Sequence, residues 1–328
     1  MINKYHGCLL GLAIGDALGA PVESLTLQEI KRRYGKGGIS DFREWGSFKP
    51  GSYTDDTQMS LATAVGCIRA CQRGRSKGIC HSASIVHRRY LEWLKSQNDP
   101  NQRRGPGNTC LSALRSGEMG TMKNRINDSK GCGGVMRTAP VGLAFPSGRA
   151  FQKGAEYAAI THGHPCGYLP AGFLSEMICH LIESKTLVEA IDLSIKQLVT
   201  YDKHSETLEK IELARELSAG SKSVEESIQT IGEGWVGDEA LAISVYCALK
   251  FSDDWEKGTL SAVNHSGDSD STGSITGAIL GTLLGIESIP SRWVQSVEES
   301  SRIQKIANDM FRIFRNGEEL SFKEYRPN

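Results

Sequence analysis

LGLAIGDALGA (residues 10–20) and GSITGAILGTLLG (residues 273–285) are two segments in which glycine recurs at every fourth position. The glycines concerned are Gly11, Gly15 and Gly19 near the start, and Gly273, Gly277, Gly281 and Gly285 near the end. Residues four apart share one face of a helix, so each segment offers a strip without side chains to a neighbouring backbone. Glycine costs about 1 kcal/mol per interior helical position relative to alanine, and close packing must offset that cost. We therefore expect both helices at the crowded centre of a single domain that spans residues 1–328.

Helical periodicity dominates the rest of the chain. Apolar residues recur at three- to four-residue spacing over residues 58–73, 82–96, 155–161, 169–184, 187–203, 205–219, 223–231, 239–251 and 292–316. The period-two alternation that half-buried strands show is missing. The predicted fold class is therefore all-α, with surface loops at residues 95–107 and 117–131.

The charges of the chain balance, because Lys plus Arg and Asp plus Glu both number 38 in 328 residues. This balance argues against binding to nucleic acid or to an anionic membrane surface by bulk electrostatics. No run reaches the roughly 18 apolar residues of a transmembrane helix, since Asp16 and four glycines interrupt the apolar N-terminal segment. The nine cysteines are odd in number and form no C-x-x-C pair, which indicates reduced thiols and a cytoplasmic protein.

Two carboxylate clusters each precede a predicted helix: GSYTDDTQ (residues 51–58) and NHSGDSDSTG (residues 264–273). Acidic residues at a helix N-terminus commonly cap free N–H groups and oppose the helix dipole, and either cluster alone favours that role. Both clusters, however, combine two carboxylates with hydroxyl neighbours and adjoin the central helices. Carboxylate and hydroxyl oxygens suit hard cations such as Mg²⁺ or Mn²⁺, and cations would relieve the repulsion among four carboxylates. An EF-hand is excluded, because Ile279 stands where its bidentate glutamate belongs.

At this point the sequence resembles the ADP-ribosylglycohydrolase family. The matching stretches are GCLLGLAIGDALGAPVES at 7–24, GSYTDDTQMSLATA at 51–64, KGCGGVMRTAPVGL at 130–143, THGHP at 161–165, GEGWVGDEALAISVYCAL at 232–249 and NHSGDSDSTGSITGAILG at 264–281. The resemblance implies an orthogonal helical bundle with a dinuclear Mg²⁺ or Mn²⁺ site at its centre. It also implies six metal ligands, which are Thr54, Asp55, Asp56, Asp268, Asp270 and Ser271. The family more often has threonine at the last position, and serine keeps the hydroxyl oxygen.

The resemblance further implies the acid–base residues. Glu23 matches a family glutamate near the metals, where it is a switching ligand or a base; the alternative is an ordinary surface residue after a helix. Hydrolysis of the bond at ribose C1″ requires a carboxylate that delivers or removes a proton. Asp56 and Glu23 are the candidates, and the sequence does not assign the acid and the base.

Several other segments suit an ADP-ribose cleft. Gly131, Cys132, Gly133 and Gly134 offer N–H groups and close backbone approach to a pyrophosphate. Arg137 either adds charge there or forms a structural salt bridge. Ser266 and Gly267 are expected to line the distal ribose. Trp235 either stacks on adenine or caps the core, and residues 105–109 form a second candidate loop. His162, His164 and His265 are expected to be structural hydrogen bonders.

The predicted function is metal-dependent hydrolytic removal of ADP-ribose from an ADP-ribosylated protein, with arginine as the predicted linkage. A guanidinium leaving group should meet acidic residues at the cleft mouth, where Glu233, Asp238 and Glu239 are available. The alternatives are another linkage (serine, nucleic acid or a small molecule) and a non-catalytic ADP-ribose binder. A third alternative is an immunity or regulatory protein that also blocks a cognate ADP-ribosyltransferase, in which case residues 95–107 or 117–131 are the candidate contact segments.

Overall fold

A computed structural model describes residues 1–321 and 324–325 of the chain. These residues contain sixteen α-helices and no strand. The helices are α1 Ile2–Gly19, α2 Leu27–Tyr34, α3 Asp55–Lys77, α4 Ser82–Ser96, α5 Asn108–Arg115, α6 Ala139–Ala144, α7 Arg149–Ala159, α8 Pro165–Ile182, α9 Leu187–Leu198, α10 Ser205–Ala219, α11 Val224–Ile231, α12 Gly237–Lys250, α13 Trp255–Val263, α14 Ser269–Leu284, α15 Ser291–Ser296 and α16 Ser300–Phe314. The all-α prediction is confirmed.

Helices α1 and α14 pack against each other along the two glycine strips. A Cβ atom added to Gly11 would lie 2.2 Å from the carbonyl oxygen of Gly277, and one added to Gly15 would lie 2.0 Å from that of Gly273. Gly7 packs equally closely against the carbonyl oxygen of Gly281. This contact extends the glycine strip of α1 by one helical turn beyond the predicted glycines. The pairing runs antiparallel, so the C-terminal end of α1 meets the N-terminal end of α14.

The other helices surround this central pair. Helices α8 and α12 pack against α14 and against each other, while α3 and α16 pack against α1. Nearly every side chain of α8 is buried, which agrees with its largely apolar sequence. The N-terminus of α3 therefore lies close to the junction of α1 and α14, where the second carboxylate cluster begins.

The predicted helix over residues 292–316 is wrong as a single element. It is divided into α15 and α16, and Glu299 adopts a left-handed backbone conformation (φ 52°) at the break. Glu298, next to it, donates its N–H to the carbonyl of Gly51 at 2.9 Å. The carboxylate of Glu298 also pairs with Arg104. These tertiary contacts hold the chain out of the helical path that its periodicity indicates.

The nine cysteines are all free thiols, and six of them are buried. Within residues 1–321 and 324–325, no single helix has the length and hydropathy of a membrane span. The segments Ile2–Val22 and Leu27–Tyr34 meet that test only jointly, and they are bent by 91°.

Candidate active site

The two carboxylate clusters come together at the N-termini of α3 and α14. The hydroxyl of Ser271 donates to the carboxylate of Asp56 at 2.8 Å, across 215 residues of sequence. Both clusters also cap their helices, since Thr54 accepts the N–H of Asp56 and Asp268 accepts the N–H of Ser271. The same residues can therefore cap the two helices and form a site. Each cap uses one side-chain oxygen and leaves the other carboxylate oxygens of its cluster free to face the second cluster.

Asp16 is a site residue that the sequence reasoning did not identify. It lies on α1 and is completely buried. Its carboxylate accepts the backbone N–H of Thr54 at 2.9 Å, the N–H of Thr57 at 3.0 Å and the hydroxyl of Thr57 at 2.5 Å. Asp16 thereby fastens the first carboxylate cluster to the central helix. The sequence feature that could have identified Asp16 is that it is the single charged residue in an apolar, glycine-rich helical segment.

The site concentrates carboxylates, and no Lys or Arg of the described residues lines the cavity beside them. Asp16, Asp55, Asp56, Asp268 and Asp270 are all buried. Burial, together with the charge of Asp270, raises the pKa of Asp16 to about 7 and that of Asp55 to about 8. Burial likewise raises the pKa of Asp56, Asp268 and Asp270. One carboxylate oxygen of Asp270 has no hydrogen-bond partner among the described residues. A buried, unpartnered carboxylate oxygen in an all-oxygen cluster fits a hard divalent cation.

Glu23 joins this cluster from the turn after α1. The charge of Asp270, followed by burial, raises the pKa of Glu23 to about 9. The next residue, Ser24, has a left-handed backbone (φ 64°) and donates its N–H to the carbonyl of Gly267 at 3.0 Å. A strained turn thus holds Glu23 against the second cluster, as expected for a functional position rather than an ordinary surface residue.

A cavity of about 220 Å³ opens above the cluster. Ten of the predicted site residues line it, and no Lys or Arg does so in the described part of the chain. The ten are Glu23, Asp55, Asp56, Gly131, Cys132, Gly133, Trp235, Asp268, Asp270 and Ser271. Residues 105 and 107–109 also contribute, although 108–115 form α5 rather than a continuing loop. The predicted residues that do not line this cavity are Thr54, Gly134, Arg137, Ser266 and Gly267.

The glycine-rich loop at residues 131–134 is held by internal contacts. Ser129 accepts the N–H of Gly131 at 3.2 Å, and the carbonyl of Trp235 accepts the N–H of Cys132 at 3.1 Å. Two of the N–H groups expected to face a pyrophosphate are therefore already used. Gly134 is required for packing, because a Cβ atom there would lie 2.4 Å from the carbonyl of Gly167. The thiol of Cys132 lies 2.7 Å from the carboxylate of Asp268.

Neither expectation for Arg137 matches its position. The side chain is completely buried, so it does not reach a ligand in the cavity. It has no carboxylate partner within the described residues either. The guanidinium instead donates to the hydroxyl of Thr161 at 2.5 Å and to the carbonyl of Tyr157, and it lies over the ring of Tyr90. Aromatic and hydroxyl groups of the core thus hold this charge beneath the cavity.

Each of the three histidines hydrogen-bonds within the protein, and His162 also lines the cavity. Burial, followed by the charge of Arg137, lowers the pKa of His162 to about 3, so its ring is neutral. His164 accepts the N–H of Cys166 and thereby caps α8. His265 bonds Thr272 and the carbonyl of Ser266.

Two of the three acidic residues expected at the cleft mouth are engaged elsewhere. Asp238 is buried beside Cys166 and Glu206, with their ligand atoms within 4.8 Å of one another, and Glu206 is paired with Lys130. Glu239 is paired with Lys210 at 3.2 Å. Only Glu233 remains exposed, at the rim beside Trp235.

Comparison with known proteins gives consistent matches along the chain. A family model described as ADP-ribosylglycohydrolase matches residues 1–319. The ADP-ribosyl-[dinitrogen reductase] glycohydrolase of Rhodospirillum rubrum is 31% identical over 90% of each chain. The ADP-ribosylarginine hydrolase Tri1 of Serratia proteamaculans is 26% identical over 94% of this chain and 79% of its own length. The ADP-ribosylhydrolase ARH3 of Bos taurus is 25% identical over 95% and 93%.

A solved structure shares the fold. The chain superimposes on an ADP-ribosylglycohydrolase-related protein complex with a TM-score of 0.71 and 24% identity. The alignment covers 95% of this chain and 98% of the other.

Proposed function

Because the chain belongs to the ADP-ribosylglycohydrolase family, we propose that it is a metal-dependent hydrolase that removes ADP-ribose from arginine residues of modified proteins. The observation that carries the proposal is the buried cluster of five aspartates: among the described residues, no Lys or Arg lines the cavity above it and one oxygen of Asp270 has no hydrogen-bond partner. Such an arrangement is costly unless it binds cations. The cavity above the cluster opens to the surface, so one part of a ligand can enter it while the rest of the ligand lies outside.

The proposed cofactors are two divalent cations, Mg²⁺ or Mn²⁺. The residues that would hold them are Thr54, Asp55, Asp56, Asp268, Asp270 and Ser271. Their oxygen-only chemistry supports hard cations over zinc or copper. Thr54 does not line the open cavity, but its hydroxyl accepts the N–H of Asp56 at 3.2 Å and therefore lies beside the cluster.

When bound, the cations would orient a water molecule and the ribose hydroxyls and offset the charge that develops on them. Glu23 is on the cavity wall beside Asp268 and Asp270, where its carboxyl group can pass a proton to or from the reacting water. Asp56 is the second candidate for proton transfer. The hydroxyl of Ser271 donates to its carboxylate and orients it.

We propose that the rest of ADP-ribose lies along the loop at residues 131–133 and against Trp235. Trp235 lines the cavity and is 39% exposed, so its ring is available for stacking on adenine. Ser266 and Gly267 would influence the ribose only indirectly, because their hydrogen bonds hold the turn that carries Glu23. Gly134 and Arg137 support the loop from below.

The arginine linkage rests on the activity for which one relative is named and on the charge of the rim. Tri1 is named an ADP-ribosylarginine hydrolase, whereas the name of ARH3 leaves the linkage open. To test the linkage, the protein is incubated with Mg²⁺ or Mn²⁺ and with substrates that carry ADP-ribose on arginine, serine or nucleic acid, and released ADP-ribose is measured. Release from arginine is expected; release from the serine or nucleic-acid substrate alone would reject the proposed linkage.

A further inference from the structure

A second cavity, of about 510 Å³, adjoins the candidate active site. It is lined by residues 26–28, by one face of α11, by Gly232 and Glu233, and by His265 and Ser266. The segments that form it are the ones that carry the active-site residues. Ser266 accepts the N–H of Leu27 at 2.9 Å, and the carbonyl of Glu233 accepts the N–H of Asp268 at 2.9 Å. The second cavity is therefore tied to the catalytic cluster by direct hydrogen bonds.

The second cavity carries negative charge. Its lining contains Glu225 and Glu233 but no Lys or Arg among the described residues. Burial lowers the pKa of its one histidine, His265. Glu225 is paired with Lys31 at 2.5 Å, whereas Glu233 has no cationic partner within the described residues. Glu233 thus presents the uncompensated charge of this cavity.

The loop that carries Glu233 is fixed in place. Gly232 and Gly234 have positive φ angles of 150° and 84°, and the carboxylate of Glu239 accepts the N–H of Glu233 at 3.2 Å. The indole N–H of Trp235 donates to the carboxylate of Glu233 at 3.1 Å. This donor orients the carboxylate and leaves its second oxygen for a ligand. Such preorganisation is typical of a recognition site rather than of a mobile surface residue.

The two cavities differ in the ligand charge that they suit. The pyrophosphate of ADP-ribose is anionic, so it suits the first cavity, where the proposed divalent cations offset the carboxylates, and is disfavoured beside the unpaired carboxylate of Glu233. A guanidinium is cationic, planar and able to donate to a carboxylate, and its aliphatic stem can lie along apolar side chains. Leu27 and Ile228 supply such side chains in the second cavity.

We propose that the second cavity is the acceptor subsite, which binds the arginine side chain of the modified protein through Glu233. This inference rests on the proposed arginine linkage. It divides the substrate between the two cavities: ADP-ribose lies in the one above the aspartates, and arginine in the one beside Glu233. Glu233 is then a specificity-determining residue and takes no part in proton transfer.

The test compares the intact protein with Glu233→Gln and Glu233→Lys. Glu216→Gln is the matched control, because Glu216 is an exposed glutamate on α10 that lines neither cavity. KM and kcat are measured with an ADP-ribosyl-arginine peptide, and the Kd of free ADP-ribose is measured separately. We expect Glu233→Gln to raise KM roughly three- to tenfold, as for a partly exposed charge-assisted hydrogen bond. We expect Glu233→Lys to raise KM further, with smaller changes in kcat and in the ADP-ribose Kd, because the carboxylate of Glu233 also orients Trp235.

The outcomes separate the two proposals. If the unaltered protein does not hydrolyse the arginine linkage, the proposed function is wrong and the subsite falls with it. If it does, but Glu233→Lys leaves KM within the range of Glu216→Gln, the subsite alone is wrong. A loss of ADP-ribose affinity as large as the rise in KM also overturns the subsite, since Glu233 would then act on ADP-ribose, directly or through Trp235, rather than on arginine.

Discussion

The carboxylate of Asp16 accepts the backbone N–H of Thr54 at 2.9 Å, 38 residues further along the chain. This contact joins the central helix α1 to the first carboxylate cluster. Asp16 does not line the open cavity, so it acts through the residues that it positions. Metal sites commonly depend on such partners, which set the orientation of the ligands themselves.

Asp16→Asn should therefore weaken metal binding without abolishing the fold. The amide keeps the size of the carboxylate but cannot accept from Thr54 and from both donors of Thr57 at once. We expect the affinity for Mn²⁺ to fall about tenfold, as is typical for loss of a group that orients metal ligands. Calorimetric titration with Mn²⁺ measures the change, and Glu216→Gln serves as the control. Equal affinities in all three proteins would show that Asp16 only stabilises the fold.

The pKa values of the cluster predict how stability depends on pH when metal is removed. The pKa values of Asp16, Asp55 and Glu23 are raised to about 7, 8 and 9, whereas carboxyls in the unfolded chain titrate near pH 4. Between these values the folded state binds more protons than the unfolded state, so the free energy of unfolding falls as pH rises. In chelator, urea unfolding should show decreasing stability from pH 5 to pH 9. Mn²⁺ should remove most of this slope, and a rising slope in chelator would contradict the assignment.

Asp270→Ala should separate catalysis from simple binding. Asp270 is the carboxylate that raises the pKa of its neighbours and has an unpartnered oxygen, so it is central to cation binding. We expect turnover to fall by more than about a hundredfold. ADP-ribose release gives the rate, and protection of a target from an ADP-ribosyltransferase gives the alternative activity. A variant that still protects its target while turnover is lost would favour the regulatory binder.

The packing of α1 against α14 can be tested at a single glycine. In Gly11→Ala the new Cβ would lie 2.2 Å from a backbone oxygen that cannot move alone, so we expect a loss of about 1–3 kcal/mol or more in the free energy of unfolding. Gly74→Ala is the control, because Gly74 lies in helix α3 with only a 3.8 Å neighbour. That change should stabilise the protein by about 0.4–1 kcal/mol.

The same unfolding curves test the proposal that residues 1–328 form one domain. A single cooperative transition is expected, because the two ends of the chain pack together at the centre. Two separate transitions, with only one shifted by Gly11→Ala, would contradict it.

The sequence carried enough information to predict the glycine strips and the meeting of two carboxylate clusters, because both depend on residue type at fixed local spacing. The family resemblance is confirmed by the match over residues 1–319, and it is what indicated which residues to expect as metal ligands. The position of Arg137 was not predictable in this way. Whether a guanidinium faces a cavity or the core depends on tertiary neighbours such as Thr161 and Tyr90, which no local pattern encodes.

Two other differences have the same origin. The break between α15 and α16 depends on the bond from Glu298 to Gly51, nearly 250 residues apart, so local periodicity indicates one continuous helix. The N–H groups of Gly131 and Cys132 are taken by Ser129 and Trp235, and a glycine-rich sequence does not reveal which of its donors are free.

The antiparallel glycine contact between α1 and α14 also determines when the site can exist during synthesis. The first cluster lies at residues 54–56 and the second at 268–271, and the two are brought together by helices from opposite ends of the chain. A growing polypeptide that has not yet released α14 from the ribosome has only half of its acidic centre. The two clusters can therefore meet only after α14 has emerged, so the acidic centre forms late in synthesis, with only α15, α16 and the residues after them still to follow.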